Sequence, residues 1–260
     1  MKKSKNTEPK RNTNGFDFLP AGLIIFLLAL WQLLVPAADI PEYILPTPAR
    51  IAEALIEERH LLFSHAVVTL GEALAGFLLA VLFGFFCGIA MGYYEPVRRA
   101  LYPVFVISQT IPTIVLAPLF AIWFGFGILP KIILVVLVCF FPVAVTFTQG
   151  LVETDRSMDE LLKVMGAGRW KSFCVLRIPR AIPSLFSGIK ISATYSIMAA
   201  VISEWVGAKL GLGIFMTRAM SSFRTAVLFA DILVIVILSL AVYKVVEIIE
   251  KIIMKKINID

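Results

Sequence analysis

Two histidines, two acids in apolar surroundings, a glycine-rich heptapeptide and a stripe of hydroxyls are the residues of this chain that could do chemistry. His60 and His65 invite a metal reading, but no cysteine or further histidine stands near them to complete a ligand set. Glu72 and Asp231 fall within or near the ends of apolar stretches, where an ionised carboxylate is costly unless paired, so proton or sodium binding has to be weighed for both. Gly166-Ala167-Gly168-Arg169-Trp170-Lys171-Ser172 looks superficially like a phosphate loop. None of the 16 glycines is followed by lysine, however, so G-x-x-x-x-G-K-[ST] does not occur, and the segment ends a helix where a phosphate loop begins one. No histidine falls in a predicted membrane span and no carboxylates cluster, which argues against an intramembrane enzyme.

The elements that must position these residues are membrane helices. Only 16% of the residues are charged while 59% are apolar, and the mean hydropathy of +0.90 exceeds what a domain with a water-facing surface carries. The apolar residues come in runs of about 20, the length a helix needs to cross roughly 30 Å of hydrocarbon. They lack the period-two alternation of barrel strands. An all-α membrane protein of about six spans is expected, near 18–36, 66–92, 100–124, 129–151, 184–206 and 226–249. The first span is read as an uncleaved anchor, because it is longer than a signal core and Pro36-Ala37-Ala38 lacks a cleavage pattern.

With the N-terminus inside, 18 of the 24 Lys and Arg residues fall on inner segments. The six on outer segments are Arg50, Arg59, Lys131, Lys209, Arg218 and Arg224. This bias predicts that both termini are cytoplasmic. The net charge of +6 follows from that topology, so nucleic acid is not an expected partner. Cys87, Cys139 and Cys174 lie in spans or an inner loop, and no disulfide is expected.

Pro103, Pro112 and Pro118 interrupt the third span and Pro142 the fourth; each frees a carbonyl, which lipid tolerates only against protein or water. Both helices are therefore expected to face the interior. Gly76, Ala80, Gly84, Gly88 and Gly92 make a ridge of small residues suited to helix packing. A more polar stripe, Ser184, Gly188, Ser192 and Ser196, is a candidate lining for a solute path, as is Pro112; bonding between helices is the alternative for the hydroxyls.

The longest inner loop, 152–183, stops looking like membrane helix. Ser157 with Glu160 three residues on predicts a capping box, and Gly166 a stop. Between them Met158, Leu161, Leu162 and Met165 follow one apolar stripe, with Asp159, Glu160 and Lys163 off it: a short amphipathic helix on the membrane surface. The run Glu160-Leu161-Leu162-x3-Gly166-x9-Leu176-x-Ile178-Pro179 resembles the "EAA" loop of binding-protein-dependent ABC importer permeases, E-A-A-x3-G-x9-I-x-L-P. Glu160, Gly166 and Pro179 keep the spacing. Leu161 and Leu162 replace the alanines, and Leu176 and Ile178 exchange the two aliphatics. Leu45-Pro46-Thr47-Pro48, Trp123-Phe124-Gly125-Phe126-Gly127 and Ser203-Glu204-Trp205-Val206-Gly207 are similar to the nitrate, sulfonate, taurine and thiamine-precursor group of these permeases.

The resemblance implies a type I importer permease fold and a permease homodimer in the lipid bilayer. It implies that Glu160, Leu161, Leu162, Gly166, Ala167, Leu176, Ile178 and Pro179 couple to a cytoplasmic ABC ATPase dimer, and that an extracytoplasmic binding protein delivers the solute. The permease itself would be no enzyme and bind no cofactor, with ATP and Mg on the ATPase. The organisation expected is a basic tail at 1–17, a first membrane helix and outer segment at 18–65, a core domain at 66–250 carrying the coupling loop 152–183, and a tail at 251–260. Many relatives of the anion-transporting branch carry a basic residue where Glu72 stands, which points away from sulfonate or nitrate toward a neutral or cationic heterocycle. The rival class, an ion-driven secondary transporter using Glu72 and Asp231, calls for inverted repeats that the sequence does not have.

Overall fold

The computed structural model describes residues 18–153 and 156–257; the basic tail at 1–17 lies outside them. Among the described residues there is no strand. In chain order the helices are α1 (Phe18–Ala37), α2 (Pro48–Glu57), α3 (Arg59–Tyr93), α4 (Glu95–Thr110), α5 (Thr113–Phe124) and α6 (Ile128–Val152). Then come α7 (Arg156–Val164), α8 (Arg169–Ser172), a π-helical turn (Phe173–Arg177), α9 (Ile178–Glu204), α10 (Leu212–Ser221) and α11 (Thr225–Ile257). Five stretches are long and apolar enough to cross a bilayer: α1, α3, α6, α8 through α9, and α11.

The third span is not the single helix expected at 100–124. It is two helices, α4 and α5, bent by 96° at Ile111-Pro112. Pro103 and Pro118 stay inside their helices, whereas Ile111 is extended (φ −78°, ψ 122°), the conformation a following proline favours, and Pro112 continues it. Nor is α4 enclosed, since Phe105 is its one buried residue. Two borders also move. α3 begins at Arg59, so a division at 65/66 would cut a helix, and α11 runs on to Ile257 past the expected tail boundary at 250.

α6 is the central helix, with α3 on one side and α9 on the other. Both neighbours meet it through small residues, which let backbones approach where lipid supplies no hydrophobic drive. A Cβ on Gly76 would fall 2.5 Å from Val135 Cβ, on Gly84 2.8 Å from Phe140 O, on Gly88 2.7 Å from Phe147 Cδ1, and on Gly92 2.6 Å from Leu151 Cδ1. Ala80, on the same ridge, is fully buried.

The stripe on α9 packs in the same way, and Gly188, Ser192 and Ser196 are buried there rather than open to a path within this subunit. Ser184 Oγ lies against Gly150, and a Cβ on Gly188 would strike Thr146 Oγ1 at 2.2 Å and Pro142 O at 2.6 Å. Ser192 donates to Cys139 O (2.6 Å), Ser196 donates to Ala193 O (2.8 Å), and neither serine has any exposed surface. The Ser192 and Ser196 hydroxyls are thus consumed across the contact with α6 and within the helix. Pro112, by contrast, is exposed at the bend.

α11 packs on α9, and α2 on α11 through Ile51 and Ala54. α2 starts where Thr47 accepts from the Arg50 N–H and Pro48 needs no donor partner. α1 is outermost, touching the bundle through Trp31, 5.9 Å from the Phe229 ring, while most of its leucines and isoleucines are exposed.

Candidate functional site

The bundle has two structured ends, named here by their short helices α7 and α10. At the α7 end, the helix begins at Arg156, so Ser157 lies in its first turn rather than before it. Its finish follows from Gly166. With φ +83° that residue reverses the chain, and the Ala167 N–H reaches back to Leu162 O (2.9 Å). Met158, Leu161, Val164 and Met165 are exposed, Val164 at 86%, and Glu160 is exposed beside them; Leu162 and Ala167 are half-buried.

The side turned toward the protein carries Asp159 and the half-buried Leu162. Asp159 is only 8% exposed and accepts from Arg177 Nη2 at 2.8 Å. Asp159, off the apolar stripe, is thus buried by its ion pair, while most of the stripe is left uncovered.

Behind α7, Arg169 Nη2 donates to Tyr93 O at the end of α3 (2.6 Å), and its guanidinium sits 4.8 Å from the Tyr93 ring centroid. Trp170 and Phe173 meet the same ring edge-on at 5.2 and 5.1 Å. Phe173 joins Phe147, Leu151 and Ala181 in a small core that Ile178 flanks. The π turn has a local cause. Pro179 has no N–H to return to Val175 O, and the Ile178 N–H bonds to Phe173 O, five residues back. Leu176, Ile178 and Pro179 are half-buried on this turn and the start of α9.

At the α10 end, buried polar side chains hold the first turn of α10. Glu204 accepts from Thr69 Oγ1–H at Oε1 (2.6 Å) and from the Gly213 N–H at Oε2 (2.6 Å). Thr69 Oγ1 accepts from the Leu212 N–H (2.8 Å), and His65 Nδ1 lies 2.9 Å from Gly211 N. These are the donors a helix start leaves orphaned, and a carboxylate there also complements the helix dipole. Gly211, at φ +130°, has no room for a side chain, since a Cβ would sit 2.2 Å from the Glu204 carboxyl carbon. His65 is thus a clamp residue, and among the described residues no group of three His, Cys, Asp or Glu could hold a metal.

Glu72 is 5% exposed and ion-paired with Lys131 at 2.6 Å. Its charge is answered inside the protein, so it offers no guide to the solute. Asp231 is fully buried, with neither carboxylate oxygen bonded among the described residues. Lys131, Glu204, Asp159 and Arg177 were not singled out from the sequence. For Glu204 a signal was present, an acid at the end of an apolar span.

The architecture is that of a multi-pass membrane subunit with a surface helix kept available at one end. Residues 80–259 match the family described as binding-protein-dependent transport system inner membrane component, and the chain belongs to that family, the permease subunits of ABC transporters. ATP hydrolysis in such transporters lies in a separate subunit. A probable ABC transporter permease of Haemophilus influenzae is 34% identical over 224 residues, 86% of this chain and 91% of that one. The formylaminopyrimidine transport permease ThiX of Halalkalibacterium halodurans is 34% identical over 236 residues, covering 90% and 94%. Among solved structures, an amino acid ABC transporter superposes with a TM-score of 0.60 at 17% identity, over 75% of this chain and 95% of that one, which establishes a shared fold.

Proposed function

We propose that this chain is the permease subunit of an ATP-driven importer, forming with a second copy of itself the path for a small solute that an extracytoplasmic binding protein delivers. The observation that carries the proposal is α7: an apolar stripe, most of it uncovered, with the exposed Glu160 beside it, on a helix tied to the bundle through Asp159. Glu160, Leu161, Leu162, Gly166 and Ala167 are the contact for a cytoplasmic ATPase dimer, which holds ATP and Mg. Leu176, Ile178 and Pro179 connect that contact to α9. The basic residues put the α7 end in the cytoplasm. Pro112 and the exposed Gln109 and Thr110 at the α4–α5 bend are the candidates for path lining, since polar groups open at that depth belong against water or protein. The solute is a small heterocycle of the formylaminopyrimidine kind, a choice supported by the name of the 34% identical ThiX.

Reconstitution tests this. The chain should co-purify with its ATPase, and hydrolysis in vesicles should rise when a binding protein loaded with the heterocycle is added. A chain that never captures the ATPase would sink the proposal. For the topology, single cysteines at Lys171 and Lys209, both exposed positions, should react oppositely with an impermeant thiol reagent applied to intact cells. Labelling of position 171 from outside would reverse the orientation.

A further inference from the structure

The ion pair Asp159–Arg177 and the hydrogen bond from Arg169 to Tyr93 lie on either side of the π turn. Before the turn, Arg169 fastens α8 to the end of α3 through Tyr93 O. At its end, Arg177 is fastened to α7 through Asp159, at 2.8 Å. The five residues Phe173–Arg177 therefore run between one anchor on α3 and another on α7. A displacement of α7 relative to α3 must either be taken up within them or break an anchor.

This segment is suited to taking it up. Its bonds close over five residues instead of four, and a change of one residue in register moves the following helix by about 1.5 Å and turns it by about 100°. Pro179, lacking an N–H, keeps the turn from relaxing into regular α-helix. A cavity of about 190 Å3, bounded by Tyr93, Asp159, Arg169, Ser172, Phe173 and Arg177, leaves room beside it. Ser172 is 2% exposed and its hydroxyl has no hydrogen-bond partner among the described residues, so a changed arrangement has a donor ready to use.

We infer that Asp159 and Arg177 are positioning residues that pass movement of α7 into α9, with the π turn as the deformable joint and Arg169–Tyr93 as the fixed post. The inference rests on α7 being the ATPase contact. Because α9 ends at Glu204, a rotation begun at the joint arrives at the clamp on α10, the opposite end of the bundle.

The test uses the reconstituted complex with Asp159→Asn, Arg177→Gln and the double reversal Asp159→Arg with Arg177→Asp. Each single variant should still co-purify with the ATPase, because Glu160, Leu161 and Met165 are untouched, while solute moved per ATP hydrolysed falls about tenfold. The reversal should recover most of that ratio, as a pairwise coupling requires. Asp159→Glu and Arg177→Lys keep the charges and provide a milder version, lowering the ratio about twofold to fivefold should the neutral variants fail to insert. A purely structural pair would lower uptake and hydrolysis together at an unchanged ratio. That result, unchanged single variants, or a reversal no better than they are would overturn the inference. Failure of the unaltered chain to bind its ATPase would instead remove the functional reading beneath it.

Discussion

The two ends of the bundle are fastened in different ways. At the α10 end, Thr69, His65, Glu204 and three consecutive backbone N–H groups are mutually bonded in a buried network, and Glu72 with Lys131 ties α3 to α6 nearby. At the α7 end, the bonds seen among the described residues include the Asp159–Arg177 ion pair and the Gly166 turn, and they hold a nine-residue helix most of whose apolar side is open. A satisfied polar network in a low dielectric is rigid, because each group left unpaired there is expensive. A helix with few buried contacts belongs to the low-stability part of a fold. One end is therefore built to keep its shape and the other to be grasped.

The sharpest way to break that contrast is to open the clamp. Glu204→Ala would leave the Gly213 N–H buried without an acceptor, at about 1–3 kcal/mol, and the Thr69 hydroxyl with only the longer bond to His65 O at 3.2 Å. The melting temperature in detergent and the yield of monodisperse protein should both drop; an unchanged melting point would mean that the α10 end is no firmer than the α7 end. Next come the contacts of α3 with α6. Gly88→Leu should cost about 1–3 kcal/mol by overpacking against the Phe147 ring. Gly84→Ala should be worse than Gly88→Ala, since the first Cβ meets the Phe140 carbonyl while the second meets a ring that can turn. Equal melting points for the two alanine variants would show that this ridge yields more than its geometry implies.

At the α7 end the expected change is in function. A Cβ on Gly166 would meet no atom within 4 Å, so the cost of Gly166→Leu is set by backbone strain, about 1–2 kcal/mol at positive φ. The protein should insert at normal levels, while ATPase co-purification weakens and uptake is lost. Glu160→Ala is the mildest: an exposed substitution that should shift stability by no more than about 0.5 kcal/mol and show only as reduced ATPase association. If both variants kept full ATPase binding and stimulation, α7 would be a helix lying on lipid headgroups.

Much of this was legible in advance, and the failures share a cause. Apolar runs located α1, α3, α6, α9 and α11, because spanning length is a property of each segment alone. Gly166 announced the end of α7 for the same reason. What needed a partner could not be read. Ser184, Gly188, Ser192 and Ser196 form a small, polar stripe, but periodicity does not tell whether such a stripe meets water or, as here, α6. Periodicity likewise set Asp159 off the apolar stripe of α7 without telling that Arg177 would bury it. The 96° bend had three prolines as candidates, and two of them remained helical.

That bend also bears on the fate of a solitary copy. Ile111 and Pro112 interrupt the chain at a depth where Gln109 Nε2 donates to Leu137 O, well inside the α6 span, and all three residues are exposed on the isolated subunit. In hydrocarbon such a break leaves backbone carbonyls that nothing hydrates. A newly inserted copy thus carries a visible defect until another surface covers it.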